Sequence, residues 1–414
     1  MSFKYINERL HCGSVDLSTL ADQYGTPLYI YSEAILKHNA EVIKTHFIDQ
    51  GFKVSYAVKA NANPAILRIF KACNIGVDIV SGGELKMALH VGFASADINF
   101  AGVGKTIEDL QLALNAGIEH FNVESQFELD QLNSLAERLG KSAAVLLRLN
   151  PDIDPQTHPH ISTGLKQNKF GMGPDLVRHI LHNQQDYPNL TFDGIHCHIG
   201  SQIIKSQPFD VLIDYLAEFI AEIETGGVAI KDIDFGGGFG VNYENPFEDI
   251  LKTTPYLKSF AQKALDKLGQ YQLHIQPGRL LVANSAILLS KVLGSKRNGD
   301  HKFIIIDGAT TELIRPALYD AYHAVYPHLE NEHTGFVDIV GPVCESSDIL
   351  AKDRELPDLA FGDLLAIASA GAYASSMGST YNMRPLSPEV MVTKDGISQL
   401  IRHRQSFDEM ISLY

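Results

Sequence analysis

The chain has 414 residues, 45% hydrophobic and 20% charged, with a formal charge of −15. Those proportions suit a globular protein with a sizeable core, and at about 150 residues per domain the length allows two or three domains. The acidic balance, without a long basic run, argues against nucleic acid or anionic membrane as partners.

Four cysteines, Cys12, Cys73, Cys197 and Cys344, lie far apart with no CxxC pair. That is the pattern of reduced thiols in a cytoplasmic protein, not of a disulfide framework. The opening MSFKYINERL lacks the apolar core of a signal peptide. No apolar run approaches the length, roughly 20 residues, that spans a membrane.

In chain order, residues 1–25 precede the regular pattern and are grouped with the C-terminal domain. Strand-like runs then recur at 52–58, 76–80, 97–102, 120–125, 143–150, 192–200, 232–238 and 272–278. They are rich in Val, Ile and Phe, and several are apolar without alternation, as strands buried on both faces are. The stretches between them carry helical periodicity, and two, 84–92 and 107–117, end in glycine. Eight strand–helix units predict a (β/α)8 TIM-type barrel over 26–280.

Beyond residue 280 the texture changes. LLVANSAILLSKVLGSK, HKFIIIDG, GFVDIVG and GDLLAIAS read as strands with short turns, and EVMVTKDGISQLI carries an Asp395-Gly396 hairpin signal. Residues 281–414, with 1–25, are predicted to form an all-β domain.

The chemistry-bearing residues fall at the C-terminal ends of the barrel strands, where barrel active sites lie. Lys59 ends the first strand, Ser81 follows the second, His198 ends the sixth, GGGFG (236–240) ends the seventh and QPGR (276–279) ends the eighth. A desolvated lysine amine is a nucleophile suited to a Schiff base with a carbonyl. The plain alternative is a rim lysine that pairs with an acid. Glycines after the seventh strand let backbone N–H groups approach a phosphate, and the alternative is a tight turn without a ligand. His196 and His198 share a strand face and raise a metal-hydrolase reading. No further ligand set accompanies them, so no metal is assigned. His196 reads as a hydrogen-bonded core histidine, and His198 as a ring lying flat against an aromatic cofactor.

In the β-domain, GPVCESSD sets Cys344 beside Glu345, LIRPALYD carries Arg315 and Tyr319, and SAGAYASSMGSTYN reads as a small, flexible segment around Tyr373. A rim lysine, a phosphate cradle, two arginines and a thiol in a polar turn suggest pyridoxal phosphate acting on a charged amino acid.

These segments also resemble a known family. YAVKANAN, HPHISTGLKQNKFGM, HCHIGSQ, DFGGGFG, QPGR, DGATTELIRPALY, GPVCESSD and GDLLAIASAGAYASSMGSTYNMRP resemble, nearly end to end, the diaminopimelate decarboxylases of the alanine-racemase-like, fold-type III group. The lysine and glycine motifs alone also fit ornithine and arginine decarboxylases. The CESSD, LIRPALY and SAGAY segments favour the diaminopimelate branch.

The resemblance implies that Lys59 carries pyridoxal 5'-phosphate covalently and that His198 stacks on its ring. It implies that Ser201, Gly236, Gly237, Gly238, Gly240, Gly278 and Arg279 hold the phosphate. Gln276 and Pro277 complete the cofactor site. Arg279, Arg315 and Tyr319 are implied to bind the distal end of the substrate, Glu345 its far amino group, and Tyr373 both cofactor and substrate. Cys344, from the second subunit of a homodimer, is implied as general acid.

The implied reaction converts meso-2,6-diaminopimelate to L-lysine and CO2. Alternatives are a decarboxylase of ornithine, arginine or a carboxylated polyamine, and a non-catalytic cofactor-binding relative. One position departs from the family pattern: EPGR reads QPGR here. The family glutamate favours a protonated pyridine nitrogen, so Gln276→Glu is expected to speed decarboxylation. DGATTE also differs from the commoner DAAMND, and nothing is assigned to that difference.

Overall fold

In the computed structural model, residues 3–154, 169–332 and 334–414 are described. Residues 158–168 of the HPHISTGLKQNKFGM motif lie outside them. Eight parallel strands close into a barrel: Lys53–Ala57, Gly76–Ile79, Ile98–Phe100, His120–Val123, Ala143–Arg148, Leu190–His196, Asp232–Asp234 and Gln272–Ile275. The strands fall where the runs of Val, Ile and Phe predict them. Burial explains the absence of alternation: Val77, Ile79, Val145, Leu147, Ile195 and Ile233 are fully enclosed. Helices follow the strands with regular punctuation. Ser81, Thr106 and Ser125 each cap a helix N-terminus through the side chain, and those helices close on Gly92, Gly117 and Gly140.

Packing divides the chain into two compact units. One, Ala40–Gly240 with Ile250–Gly278, holds the barrel. The other comprises Met1–Asn39, Val241–Asp249 and Arg279–Tyr414. It contains a three-stranded sheet, from Phe3–Ile6 to Val15–Asp16, and a nine-stranded mixed sheet. The strand Leu28–Ser32 pairs antiparallel with Ala286–Asn298 and parallel with Glu389–Val392. Residues up to Asn39 therefore pack with the β-unit, whereas the sequence pattern sets a boundary at 25. LYIYS is buried along its whole length, so its composition resembles that of a barrel strand. Leu10, Leu17, Leu28, Ile30, Ile287, Leu289 and Val390 form part of this unit's core.

Two local expectations are corrected. The segment read as a strand from Leu280 opens with a helical turn, Arg279–Val282, and the strand begins at Ala286. The first part of the segment read as flexible, residues 369–374, is tightly packed. Ala370, Ala372 and Ala374 are buried, and a Cβ on Gly371 would stand 1.8 Å from the Val282 carbonyl oxygen. Its residues are small because backbone approaches backbone there.

A buried ionic cluster lies beside the third to fifth strands of the barrel. Lys105 Nζ donates to the Gly102 and Asn122 carbonyls at 2.9 and 2.8 Å and to Glu128 Oε1 at 2.6 Å. Arg148 donates to Glu124 at 2.6 Å. Removing one partner of such a pair leaves a buried charge unpaired, at a cost of about 3–5 kcal/mol. Lys105→Met is therefore expected to lower unfolding stability by about that amount, measured by urea denaturation. An unchanged midpoint would show that the cluster contributes little.

Candidate active site

The turn that carries Lys59 is built by its neighbours. After Ala57 the chain makes one 3-10 turn, Val58–Ala60, before the helix Pro64–Ala72. Tyr56 donates to the Asn61 carbonyl at 3.0 Å, Asn61 Oδ1 accepts from Asn63 N–H, and Asn63 caps the helix. Pro64 supplies a fixed φ at its first position. Val58 and Ala60 are fully buried, while the Lys59 side chain is 42% exposed. Its amine lies 3.8 Å from Asp78 Oδ2 at the end of the second strand. The acid pairing weighed as the plain alternative is thus present.

The glycine turn packs against two other strand ends. Ile203 N–H donates to Gly238 O and Gly240 N–H to Ile203 O, both at 2.9 Å, so the loop carrying Ser201 runs beside the turn. A Cβ on Gly237 would stand 2.2 Å from the Gln276 carbonyl oxygen, and one on Gly238 2.4 Å from that of Gly200. Only glycine permits either approach. Gly237 N–H donates to His198 Nδ1 at 3.2 Å, which leaves that ring nitrogen unprotonated. On the seam between the last and first strands, Ala57 N–H donates to Pro277 O at 3.2 Å. A Cβ on Gly278 would press on those of Ala57 and Ala60.

Burial dominates the electrostatics of this rim. It pushes Asp78 up to about 6, against the pull of Lys59, Arg148 and Lys105. It pushes Glu84 up to about 7 despite the Val80 N–H that the carboxylate accepts. Asp234 rises to about 7 for the same reason, opposed by His274 and the Gly236 N–H. Burial, then Arg148, holds His196 and His198 well below the usual imidazole range. Both rings are neutral near pH 7. His196 bonds to Gln276 at 3.2 Å, in keeping with a core histidine. The described donors close enough to share a cation, His120, Asp193 and Asp232, involve other parts of the barrel. There His120 lies 3.3 Å from Asp193, and His274 lies 2.6 Å from Asp232.

In the β-unit, two buried arginines converge on one tyrosine. Arg279 Nη1 donates to Tyr243 OH at 2.7 Å, and the Arg315 guanidinium lies 4.7 Å from the Tyr243 ring centre. Burial opposes ionisation of Tyr243, but Arg279 and Arg315 outweigh it and lower the phenol. Arg279 also stacks on Tyr373 at 4.8 Å. No described carboxylate pairs with Arg315. Its Nη1 donates instead to His323 Nε2 at 2.7 Å. Tyr319 is half-buried in the same short helix, Arg315–Tyr319. Cys344 and Glu345 are exposed on a turn fixed by Asp348, which accepts from Val343 N–H and Thr310 N–H, each at 2.7 Å. Cys344 N–H donates to Asn382, and Tyr381 OH to Glu345.

Residues 34–283 match the family described as "Pyridoxal-dependent decarboxylase, pyridoxal binding domain". The diaminopimelate decarboxylase of Zymomonas mobilis is 42% identical over 99% of this chain and 97% of its own length. This chain belongs to the diaminopimelate decarboxylase family. The crystal structure of that enzyme from M. jannaschii, in complex with L-lysine, superposes with a TM-score of 0.92 at 36% identity, covering 100% of this chain and 97% of the other. The Helicobacter pylori enzyme, also with L-lysine, gives 0.90 at 36%, covering 96% and 99%.

The cofactor of this decarboxylase family is pyridoxal phosphate, and the residues present fit it. Lys59 offers a primary amine at a solvent-reached position between buried neighbours. Asp78, whose two buried oxygens have no hydrogen-bond donor, gives that amine a counter-charge. In the glycine turn, the N–H groups of Gly236, Gly237 and Gly240 donate to Asp234, His198 and Ile203. Sequence reasoning missed Asp78, Glu84, Arg148 and Asp234. Ser81 proves to be a helix cap. Asp78 sits inside GVDIV, where a lone acid among apolar residues was the available signal.

The buried His323 beside Arg315 titrates in a predictable direction. Its Nδ1 donates to the Ala368 carbonyl at 2.8 Å. Burial and then Arg315 lower it from 6.5 to about 3. Between those values the unfolded chain binds the proton and the folded one does not. Its contribution is therefore complete above pH 6.5 and lost as pH falls toward 3, by about 1.4 kcal/mol per unit. His323→Gln removes the titration. The stability advantage of wild type over the variant should shrink from pH 6.5 to 4.5 in denaturant titrations. Parallel curves would mean that His323 is protonated in the fold.

Proposed function

We propose that this chain decarboxylates meso-2,6-diaminopimelate to L-lysine and CO2 with pyridoxal phosphate, as a cytoplasmic homodimer in lysine biosynthesis. The observation that carries this reading is the buried arginine pair at Tyr243, with Arg315 lacking any described carboxylate partner. Two guanidinium groups held this way suit a substrate with a carboxylate at its far end. Ornithine, arginine and lysine have none. The L-lysine in two structural relatives agrees with the product. Among the described residues no helix is long and apolar enough to cross a membrane.

The proposed roles divide between the units: the barrel unit binds the cofactor, and the β-unit supplies substrate-binding and dimer residues. Bound pyridoxal phosphate supplies the electron sink for the pair left by departing CO2. Lys59 Nζ holds the cofactor. Ser201, Gly236, Gly237, Gly238, Gly240, Gly278 and Arg279 bind its phosphate, and neutral His198 with Gln276 and Pro277 borders its ring. Arg279, Arg315 and Tyr319 bind the distal carboxylate, and Glu345 binds the distal ammonium. Tyr373 orients cofactor and substrate. The partner's Cys344 delivers a proton from Sγ to Cα.

A substrate panel tests the specificity. A site built for polar groups leaves them unpaired when a substrate lacks them, at about 1–3 kcal/mol each. kcat/KM for meso-diaminopimelate should exceed that for ornithine, arginine and lysine by at least roughly a hundredfold. Arg315→Met should narrow the gap by lowering the diaminopimelate value alone. Comparable values for ornithine in wild type would refute the reading.

The shared site is tested by complementation. Lys59→Ala and Cys344→Ala, each inactive alone, are mixed under conditions that exchange subunits. Each mixed dimer then has one site with both defects and one with neither. Equal mixing makes about half the dimers mixed, so activity should return to roughly a quarter of wild type. Proven exchange without recovery would place both residues in one subunit's site.

A further inference from the structure

Three adjacent barrel strands bring His196, Asp234 and Gln276 together at the same end of the barrel. All three are buried, at 1%, 1% and 6% exposure. Gln276 Nε2 donates to Asp234 Oδ2 at 2.7 Å, and Gly236 N–H donates to Asp234 Oδ1 at 2.7 Å. On its other side, Gln276 Oε1 faces His196 Nε2 at 3.2 Å. The Gln276 backbone is fixed as well, its N–H donating to Gly236 O at 2.7 Å.

These contacts determine which way the amide points. An ionised carboxylate can only accept, so with Asp234 charged the amide nitrogen faces Asp234 and the amide oxygen faces His196. His196 must then donate from Nε2. Its Nδ1, buried and without a partner, is the unprotonated nitrogen.

We propose that Asp234 is a positioning residue for Gln276, and that the two form a donor–acceptor pair in which one position, and only one, carries a carboxylate. Asp234 locks the amide in a single orientation beside the cofactor site. When Asp234 is ionised, the pair places its negative charge one hydrogen bond behind Gln276. The inference rests on the proposed reading that Gln276 borders the cofactor.

This pairing reverses the expectation for Gln276→Glu. Two buried carboxylates within hydrogen-bond reach cannot both ionise, so one must take up a proton. The substitution by itself adds no charge beside the cofactor. It exchanges a matched pair for one that shares a proton.

The test is a four-protein cycle of wild type, Asp234→Asn, Gln276→Glu and the double variant. Asp234→Asn sets two amides against each other and frees the Gln276 amide to turn. The double variant reverses the bond, with the introduced asparagine donating to the introduced glutamate. Three readouts are taken. In the cofactor-free protein these are the melting temperature and the His196 ring-nitrogen NMR signals. In the loaded protein it is the dissociation constant of pyridoxal phosphate, followed by its visible absorbance.

Each single variant should melt lower and bind the cofactor roughly tenfold or more weakly, the scale of a lost charge-assisted bond. The double variant should return to within about threefold of wild type and restore one His196 tautomer. Should the single variants fail to fold, a folded double variant is itself the rescue. Additive losses, or an unfolded double variant, overturn the proposal. Rescue in the cofactor-free protein with cofactor binding unmoved throughout would overturn only the reading of Gln276 as a cofactor contact.

Discussion

The barrel closes where its last strand pairs with its first, and the rim depends on that seam. His274 and Ile275 lie opposite Lys53 and Val54, and the bond from Ala57 N–H to Pro277 O carries the pairing past the strand ends. Residues more than two hundred positions apart become neighbours with a fixed register. A shift of one residue at this seam would turn the inward faces outward, and would separate the Lys59 turn from the QPGR turn. A Cβ on Gly278 would stand 3.1 and 3.2 Å from those of Ala57 and Ala60, so the two turns pass closely. The same backbone that closes the barrel holds the glycine turn, through Gln276 N–H on Gly236 O.

Closure also gathers more ionisable groups than a dry interior tolerates as charges. Burial drives most of them toward neutrality: Asp78, Glu84 and Asp234 upward, His196 and His198 downward. Other buried groups are paired, Lys105 with Glu128 and Arg148 with Glu124. Such pairs contribute little net stability over an apolar core, but losing half of one is costly. Lys59 differs because its side chain reaches solvent beside Asp78. The rim thus sets a carboxylate beside the amine and neutral imidazoles at the sixth strand end.

The barrel was legible because strands enclosed on both faces must be apolar throughout, and eight such runs alternate with helical segments. The ends of those strands were legible for the same reason: Lys59, His198, the glycines and QPGR interrupt apolar runs. The buried ion pairs were not. Lys105 and Glu128 look like any charged residues near a helix, and nothing in their spacing says that the Lys105 amine is fully enclosed. The Asp234–Gln276 bond joins residues 42 apart at the ends of the seventh and eighth strands, so no local pattern announces it. Composition misled at LLVANS, because an enclosed helical turn and an enclosed sheet strand are equally apolar. SAGAYASS misled in the opposite direction, since small residues serve close packing as readily as mobility.

That last segment constrains the arginine site. Tyr373 has φ 54° and Ser369 φ 57°, a left-handed conformation that bulky residues adopt only when their surroundings enforce it. Here the enforcement is backbone to backbone: Ala370 N–H donates to Ala286 O at 2.9 Å, and Gly371 N–H to Ala283 O at 3.0 Å. Any side chain at Gly371 would collide with Val282 O, at the end of the helical turn that begins with Arg279. The same turn of chain therefore sets both the Arg279 backbone and the Tyr373 ring that its guanidinium covers at 4.8 Å. A larger residue at Gly371 could be accommodated only by moving Val282, and with it the arginine. SAGAY is thus a steric requirement for holding Arg279 against Tyr243 and Tyr373, set by backbone contacts that leave no space for a Cβ.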